Sequence, residues 1–247
     1  MAEKHFTEQK AHAETYLIPY FERIFPDFQR FRILEIGCAE AGFLYALHQA
    51  GIQSEGLELE PHRVALAKAM NPKLKIRVGD VTDPDIVSKI GKSFDLVVLR
   101  DVIEHIPDRD VVFRNLSILL RPEGFAYITF PPRFSPFAGH HQNGRSALRR
   151  MPFLHLLPEW MIRFLGRGFR EHAHILDNAA LNFRIGLSIQ RFEAFCHNHG
   201  FKILIKDLFL LRPIYHTRTG LKPRRIPDIP VFREFLSLGC ECLIRKS

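Results

Sequence analysis

What most constrains the fold of this chain is an alternation. Short apolar runs occur at 32–36, 54–59, 74–78, 94–99 and 125–130, each bounded by Gly, Asp or Pro, with stretches of helical period at 42–50, 61–69, 83–90 and 108–120 between them. Apolar runs of this length between turn residues read as strands. Strands alternating with helices predict an α/β fold with a doubly wound, mostly parallel sheet covered on both faces. Such sheets bind ligands outside the carboxyl ends of their strands, near the switch point.

The remaining segments fit around that frame. Residues 6–25 place Leu17, Tyr20, Phe21, Ile24 and Phe25 at helical spacing, which predicts an N-terminal amphipathic helix. From 131 to 187 the alternation stops, and the run is too long for a simple connection, so an inserted cap over the strand ends is expected. Regular structure resumes at Ser188, placed to cap a helix closed by Gly200. A sixth strand is expected at 201–211, a Pro- and Arg-rich loop at 212–230, and a last strand at 235–244. The predicted division is a core at 1–130, a substrate cap at 131–187 and completion of the core sheet at 188–247.

With 247 residues, 46% hydrophobic and 25% charged, the chain has ample material for a packed core, which excludes disorder. No apolar run approaches the roughly 18 to 20 residues of a spanning helix, and the first residues lack the apolar stretch of a signal peptide, so a cytoplasmic location is expected. Cys38, Cys196, Cys240 and Cys242 fit neither a disulfide framework nor a paired zinc motif; all four are expected to be reduced apolar fillers, with Cys240 and Cys242 on opposite faces of the last strand. The net charge of +8 is unevenly placed: residues 131–225 carry 16 Lys or Arg against 5 Asp or Glu, and eight of the thirteen histidines. That concentration suggests a layer facing an anionic partner or surface, a nucleic acid or a membrane included.

The strand ends carry the chemistry. The first strand runs into Glu35-Ile36-Gly37-Cys38-Ala39-Glu40-Ala41-Gly42, whose small residues let the backbone turn sharply and approach a ligand. The spacing Gly37-x-Ala39-x-x-Gly42 also fits a loose dinucleotide fingerprint, so an NAD(P)-dependent oxidoreductase is the alternative. About twenty residues on, Glu58 stands at the second strand terminus, where a carboxylate can accept both hydroxyls of a ribose. The third strand ends in Val78-Gly79-Asp80-Val81, where Asp80 can take a hydrogen bond from an adenine amine.

Taken together, the stretches ILEIGCAEAGFL, GLELEP, VGDV, FDLVVLRDVIEHIPD and LLRPEGFAYITFP resemble the class I S-adenosylmethionine-dependent methyltransferases, in particular the group that includes the small-molecule and ubiquinone-pathway O-methyltransferases. The resemblance covers 32–131. It implies a Rossmann-like seven-stranded sheet with an antiparallel last strand and S-adenosylmethionine as cofactor. It also implies that Glu35, Gly37, Cys38 and Ala39 surround the methionine part, that Glu58 with Leu59 holds the ribose, that Asp80 and Val81 hold the adenine, and that the backbone near Leu99 and Arg100 faces the amino group. Ala39 and Ala41 stand where the family usually has Gly, and alanine makes positive φ unfavourable.

The implied reaction is methyl transfer to an oxygen, with nitrogen second, of a small or sugar-like acceptor. A hydroxyl acceptor needs a proton acceptor, and His105, His140 and His141 are the candidates. In some ubiquinone-pathway relatives an acid-x-x-Glu-His arrangement binds a divalent metal. Here Asp101 replaces the first Glu, and Asp101, Glu104 and His105 at i, i+3 and i+4 are read as a capping and packing segment with no metal. The Arg- and His-rich cap is expected to make the acceptor cavity electropositive and suited to an anionic molecule.

Overall fold

The computed structural model describes residues 2–91, 93–139 and 141–247. Eight strands form one mixed sheet: β1 (Arg32–Ile36), β2 (Gln53–Glu58), β3 (Lys75–Val78), β4 (Phe94–Arg100), β5 (Leu120–Phe130), β6 (Phe201–Leu211), β7 (Arg224–Arg225) and β8 (Gly239–Lys246). Their order is β3-β2-β1-β4-β5-β8-β6-β7. The strands β1 to β5 pair in parallel, whereas β8 runs antiparallel between β5 and β6. The expected seven strands are there, the antiparallel one included. The eighth is the two-residue β7 on the open edge, paired with β6 inside the stretch read from sequence as a loop.

Alternate residues of each strand feed the two faces, as the pleat requires. On one face Leu34, Ile36, Val97 and Leu99 pack with Val112, Phe113 and Leu116 of α6 (Arg109–Leu119) and with Phe192 and Cys196 of α9 (Ile189–Asn198). On the other, Ile33, Leu96, Val98 and Tyr127 pack against Phe43, Leu44 and Leu47 of α3 (Gly42–Gln49) and against Leu17, Phe21 and Phe28 of the N-terminal segment. Helix starts follow the local chemistry: the Asp108 and Ser188 side chains accept from the amides of Val111 and Arg191, capping α6 and α9. Cys240 and Cys242 are both fully buried on the same face, with sulfurs 3.5 Å apart. This corrects the expectation of opposite faces, since residues i and i+2 of a strand share a face.

The N-terminal helical run is interrupted in a way that matters for the site. The α1 helix (Ala2–His12) passes through a π-helical turn (Ala13–Leu17) into α2 (Ile18–Ile24). Pro19 lies in the first turn of α2 and has no N–H to give the carbonyl of Thr15, so the regular ladder cannot continue through this point. The wider turn changes the phase of the residues before it relative to those after it. The apolar stripe that follows stays on the sheet, while His12 turns toward the strand ends.

The segment from 131 to 187 is more regular than its sequence suggests. It contains α7 (Glu159–Gly168) and α8 (Ala173–Ile185), with a small core of its own made of Leu148, Leu154, Ile162, Leu176, Ala179 and Ala180. Helix α10 (Pro213–Thr219), with Pro at its start and Gly220 at φ +75° just past its end, and α11 (Phe232–Leu236) occupy the stretch between β6 and β8.

Candidate active site

Strand order reverses between β1 and β4, and a cavity of about 820 Å³ opens there at the carboxyl ends of the parallel strands. Its walls come from the turn after β1, the ends of β2 and β4, the turn after β3 and the segment His105–Asp108. Its cover comes from α1, through His5, Glu8, Gln9 and His12, and from Arg212, Ile214 and Arg218 at α10. Among the described residues, none between 131 and 187 lines it.

The turn after β1 is shaped by backbone conformation. Gly37 has φ +72°, and a Cβ there would lie 2.3 Å from Cγ2 of Val102. Ala39 and Ala41 also adopt positive φ, at 51° and 62°, so the turn keeps a left-handed path despite its alanines, which costs about 1 to 2 kcal/mol at each. Across it, the carboxylate of Glu58 accepts the amide of Ala39 at 2.7 Å through one oxygen and that of Glu60 at 3.0 Å through the other. Each oxygen has a second lone pair for a ligand hydroxyl. Asp80 uses Oδ1 to accept the amide and hydroxyl of Thr82, both at 2.8 Å. The helix behind the turn is covered by α1: Gln9 accepts the amide of Gly42 at 3.1 Å, and a Cβ on Gly42 would meet the carbonyl of Phe6 at 2.4 Å.

Gly37, Ala39, Glu58, Leu59, Asp80, Val81, Arg100 and His105 all line this cavity, which brings together eight residues singled out from the sequence. Glu35, Cys38 and Leu99 lie behind its wall. Glu35 is fully buried and accepts two hydrogen bonds from Arg100, at 2.5 and 3.1 Å, on one oxygen. Burial raises its pKa, with Arg100 acting against that rise. Its other oxygen is buried with no hydrogen-bond partner among the described residues. Cys38 packs under Gly56, and Leu99 belongs to the core.

The histidines fall differently. His105 is half exposed at the rim, 3.8 Å from Glu104, and burial lowers its pKa. His141 is fully buried inside the insert, where its Nε2 meets the carbonyl of Met151 at 2.7 Å and its ring stacks near His155. It therefore stands in the insert's own packing and not at the cavity. His140 lies outside the described residues. The expected helical grouping of Asp101, Glu104 and His105 is also altered. Asp101 has φ +55° ahead of a single 3-10 turn (Ile103–His105), and its carboxylate receives Arg212 at 2.6 and 2.8 Å.

The residue missed from the sequence is His12. It lines the cavity, stacks on Tyr16 with ring centroids 5.2 Å apart, and has Nδ1 3.5 Å from the hydroxyl of Thr217. Burial, aided by Arg100, Arg212 and Arg218, lowers its pKa to about 3, so the imidazole is neutral. Nearby, Tyr127 and Tyr16 both donate to Glu241, at 2.7 and 2.9 Å. The acidic and basic side chains of the lining comprise six carboxyl groups (Glu8, Glu58, Asp80, Asp101, Asp108, Glu241) against four guanidiniums (Arg63, Arg100, Arg212, Arg218). Among the described residues, no Arg or Lys of the insert belongs to this lining.

Residues 9–184 match the family described as Methyltransferase domain. The chain belongs to the class I S-adenosylmethionine-dependent methyltransferases. A Ubiquinone biosynthesis O-methyltransferase of Bordetella avium is 24% identical over 152 residues, and the match spans 61% of this chain and 58% of that enzyme, so well under two thirds of the relative is represented. One from Chromobacterium violaceum is 23% identical over 172 residues, 68% of each chain. In fold, the chain is similar to an S-adenosylmethionine dependent methyltransferase from Mesorhizobium loti (TM-score 0.57, 17% identity, 92% of this chain and 96% of that one). It is likewise similar to magnesium protoporphyrin IX methyltransferase from Synechocystis with bound S-adenosylhomocysteine (TM-score 0.56, 13% identity, 96% and 84%). The oxidoreductase alternative is thereby set aside.

The residues of this methyltransferase fit its cofactor. Gly37 leaves a space that no other residue could leave, Glu58 is fixed by two amides with lone pairs to spare, and Asp80 follows the neighbouring strand. Replacing Gly37 by alanine should therefore strain φ and drive Val102 out of place. We expect a stability loss of about 1 to 3 kcal/mol in denaturant melts, together with weakened binding of S-adenosylhomocysteine.

Proposed function

We propose that this methyltransferase methylates a hydroxyl oxygen of a small or sugar-like molecule, with His12 as the proton acceptor. The observation that carries the reading is that the imidazole of His12 lines the same cavity as Glu58 and Asp80. Bound S-adenosylmethionine supplies an activated methyl group, so the chain's own task is to hold the acceptor, exclude water and receive its proton.

The division of labour follows the walls. Glu58, Leu59, Asp80 and Val81 would hold the cofactor's nucleoside, and the turn at Gly37 and Ala39 its methionine part. The α1 helix and α10 would close over both ligands, which supports water exclusion. Before reaction, the three guanidiniums around His12 disfavour imidazolium. A hydroxyl oxygen growing negative beside the ring reverses this balance, because the oxyanion favours the protonated imidazole while Arg100 and Arg212 favour the oxyanion. With carboxyl groups outnumbering guanidiniums in the lining, a neutral acceptor fits better than an anionic one. The similarity to O-methyltransferases of ubiquinone biosynthesis also supports oxygen as the acceptor atom.

Mass spectrometry of reactions with S-adenosylmethionine and matched phenol, catechol, sugar and amine acceptors tests the reading. Methyl ethers should form with the hydroxyl compounds. Methylation confined to the amines would sink the oxygen assignment.

A further inference from the structure

The stretch after α10 is built inside out. In α11, Glu234 is buried and its two carboxylate oxygens accept the amides of Ile189 and Gln190 at 3.0 and 2.9 Å, capping α9. Arg233 also turns inward, bonded to both oxygens of Glu193 at 2.6 and 2.9 Å and to Asp228 at 2.7 Å; Lys206 joins the same network. The apolar neighbours point the other way: Val231 is 68% exposed, Phe232 63%, Leu236 50% and Phe235 42%. Leu221 and Ile229, just before them, are exposed as well. Val231 reaches this position in a strained turn, φ +71° and ψ −59°, a costly place for a β-branched side chain. A segment that anchors its charges in the fold and sends its apolar side chains outward is not finished by water.

We propose that this tip, residues 221–236, docks on the surface of an anionic lipid bilayer. The choice of a bilayer rests on charge. From Arg212 to Leu236 there are six Lys or Arg against two acids; both acids and four of the cations, Arg212, Arg218, Arg225 and Arg233, are bound to partners within the fold, which leaves the charge of Lys222 and Arg224. Lys222 and Arg224 are exposed beside the apolar tips and have no carboxylate partner among the described residues. Apolar tips fringed by cations match an apolar interior beneath an anionic surface. The insert carries exposed apolar and cationic side chains as well: Trp160 and Phe164, 70% and 72% exposed, share one face of α7, and Arg149, Arg150 and Arg167 of the same insert are exposed. Phe134, where the insert begins, lies 5.7 Å from Phe235, which ties the two regions together. No helix among the described residues is long and apolar enough to cross a membrane, so the contact is docking, not spanning. The inference does not depend on the identity of the methyl acceptor.

Flotation of the full chain with vesicles of phosphatidylcholine containing phosphatidylglycerol, against phosphatidylcholine alone, tests it. Binding should require the anionic lipid and weaken with salt. The double substitution Val231→Ser, Phe232→Ser should weaken it by about tenfold or more, and Lys222→Gln, Arg224→Gln severalfold. The thermal midpoint of the same variants should not fall and their affinity for S-adenosylhomocysteine should stay unchanged, which excludes misfolding. Absence of binding to anionic vesicles overturns the proposal. So does binding that Val231→Ser, Phe232→Ser leaves intact, which would reduce the contact to charge alone. Salt-sensitive retention of tRNA with no vesicle binding would assign the cations to nucleic acid. A concentration-dependent dimer broken by the same double variant, again without vesicle binding, would assign the tip to a second copy of the chain.

Discussion

Substituting His12 by Gln is expected to lower the turnover rate by about 10² to 10⁴ while leaving the affinity for S-adenosylhomocysteine within about twofold. The span is what a positioned proton acceptor contributes. The affinity should hold because His12 comes from the covering helix, apart from the carboxylates at the ends of β2 and β3. His105→Gln is the control, since a residue half exposed at the rim should cost under about tenfold. The substitution also carries a stability signature of known sign. The pKa of His12 falls from 6.5 when unfolded to about 3 when folded, so between those values the unfolded chain binds more protons. Folding stability is fully present above pH 6.5 and declines as pH falls toward 3. His12→Gln removes this decline, and the loss of stability over that window should shrink by up to about 4 kcal/mol. Unchanged turnover in His12→Gln would remove it from the reaction and leave His105 as the proton acceptor.

Why His12 escaped the sequence while Glu58 did not is a matter of distance along the chain. The strand ends announce themselves locally: a period of two stops, Gly or Asp follows, and a period of 3.6 begins. This is why Gly37, Glu58 and Asp80 could be named in place. The parallel pairing of β1 to β5 followed from the same rhythm, while the antiparallel β8 was implied by the family resemblance alone. His12 had no such marker. Its place depends on α1 crossing above a turn some thirty residues later, through Gln9 and Gly42, and on a π-helical turn that shifts its phase. The signal that could have pointed there was Pro19, a helix breaker inside a helical pattern.

The insert shows a different limit. Its excess of Arg and His was legible, and the conclusion that it faces the acceptor was drawn from chain connectivity: a segment leaving β5 and returning before α9 must pass the carboxyl edge. Connectivity fixes where a segment starts and ends, not which way its side chains face. In the fold it closes on its own small core, His141 is spent on Met151 and His155, and the cover over the cavity comes instead from α1 and α10. Arg212 belonged to a stretch read as a loop, yet it holds Asp101 beneath α10. Only tertiary packing brings those two residues, more than a hundred apart in sequence, into contact.

Glu58→Ala should be the most damaging single change to cofactor binding. A carboxylate that accepts two ligand hydroxyls contributes about 1.5 to 3 kcal/mol through each charge-assisted bond, so S-adenosylhomocysteine should bind about 10² to 10⁴-fold more weakly in calorimetry. The same substitution strips the acceptor from the amides of Ala39 and Glu60, and the turn after β1 loses the strut that holds its two positive-φ alanines. A stability loss of about 1 to 3 kcal/mol without ligand follows, and it has to be separated from the binding loss. Glu58→Gln separates them. Its single carbonyl oxygen can still accept one of the two amides, while its NH2 group confronts the other with a donor, so the turn should be strained yet folded. In thermal melts, saturating S-adenosylhomocysteine should raise the wild-type midpoint by several degrees and leave both variants nearly unmoved. If Glu58→Gln were stabilised by the ligand as strongly as the wild type, the carboxylate would be a brace for the turn alone, and the ribose would have to be held elsewhere in the cavity.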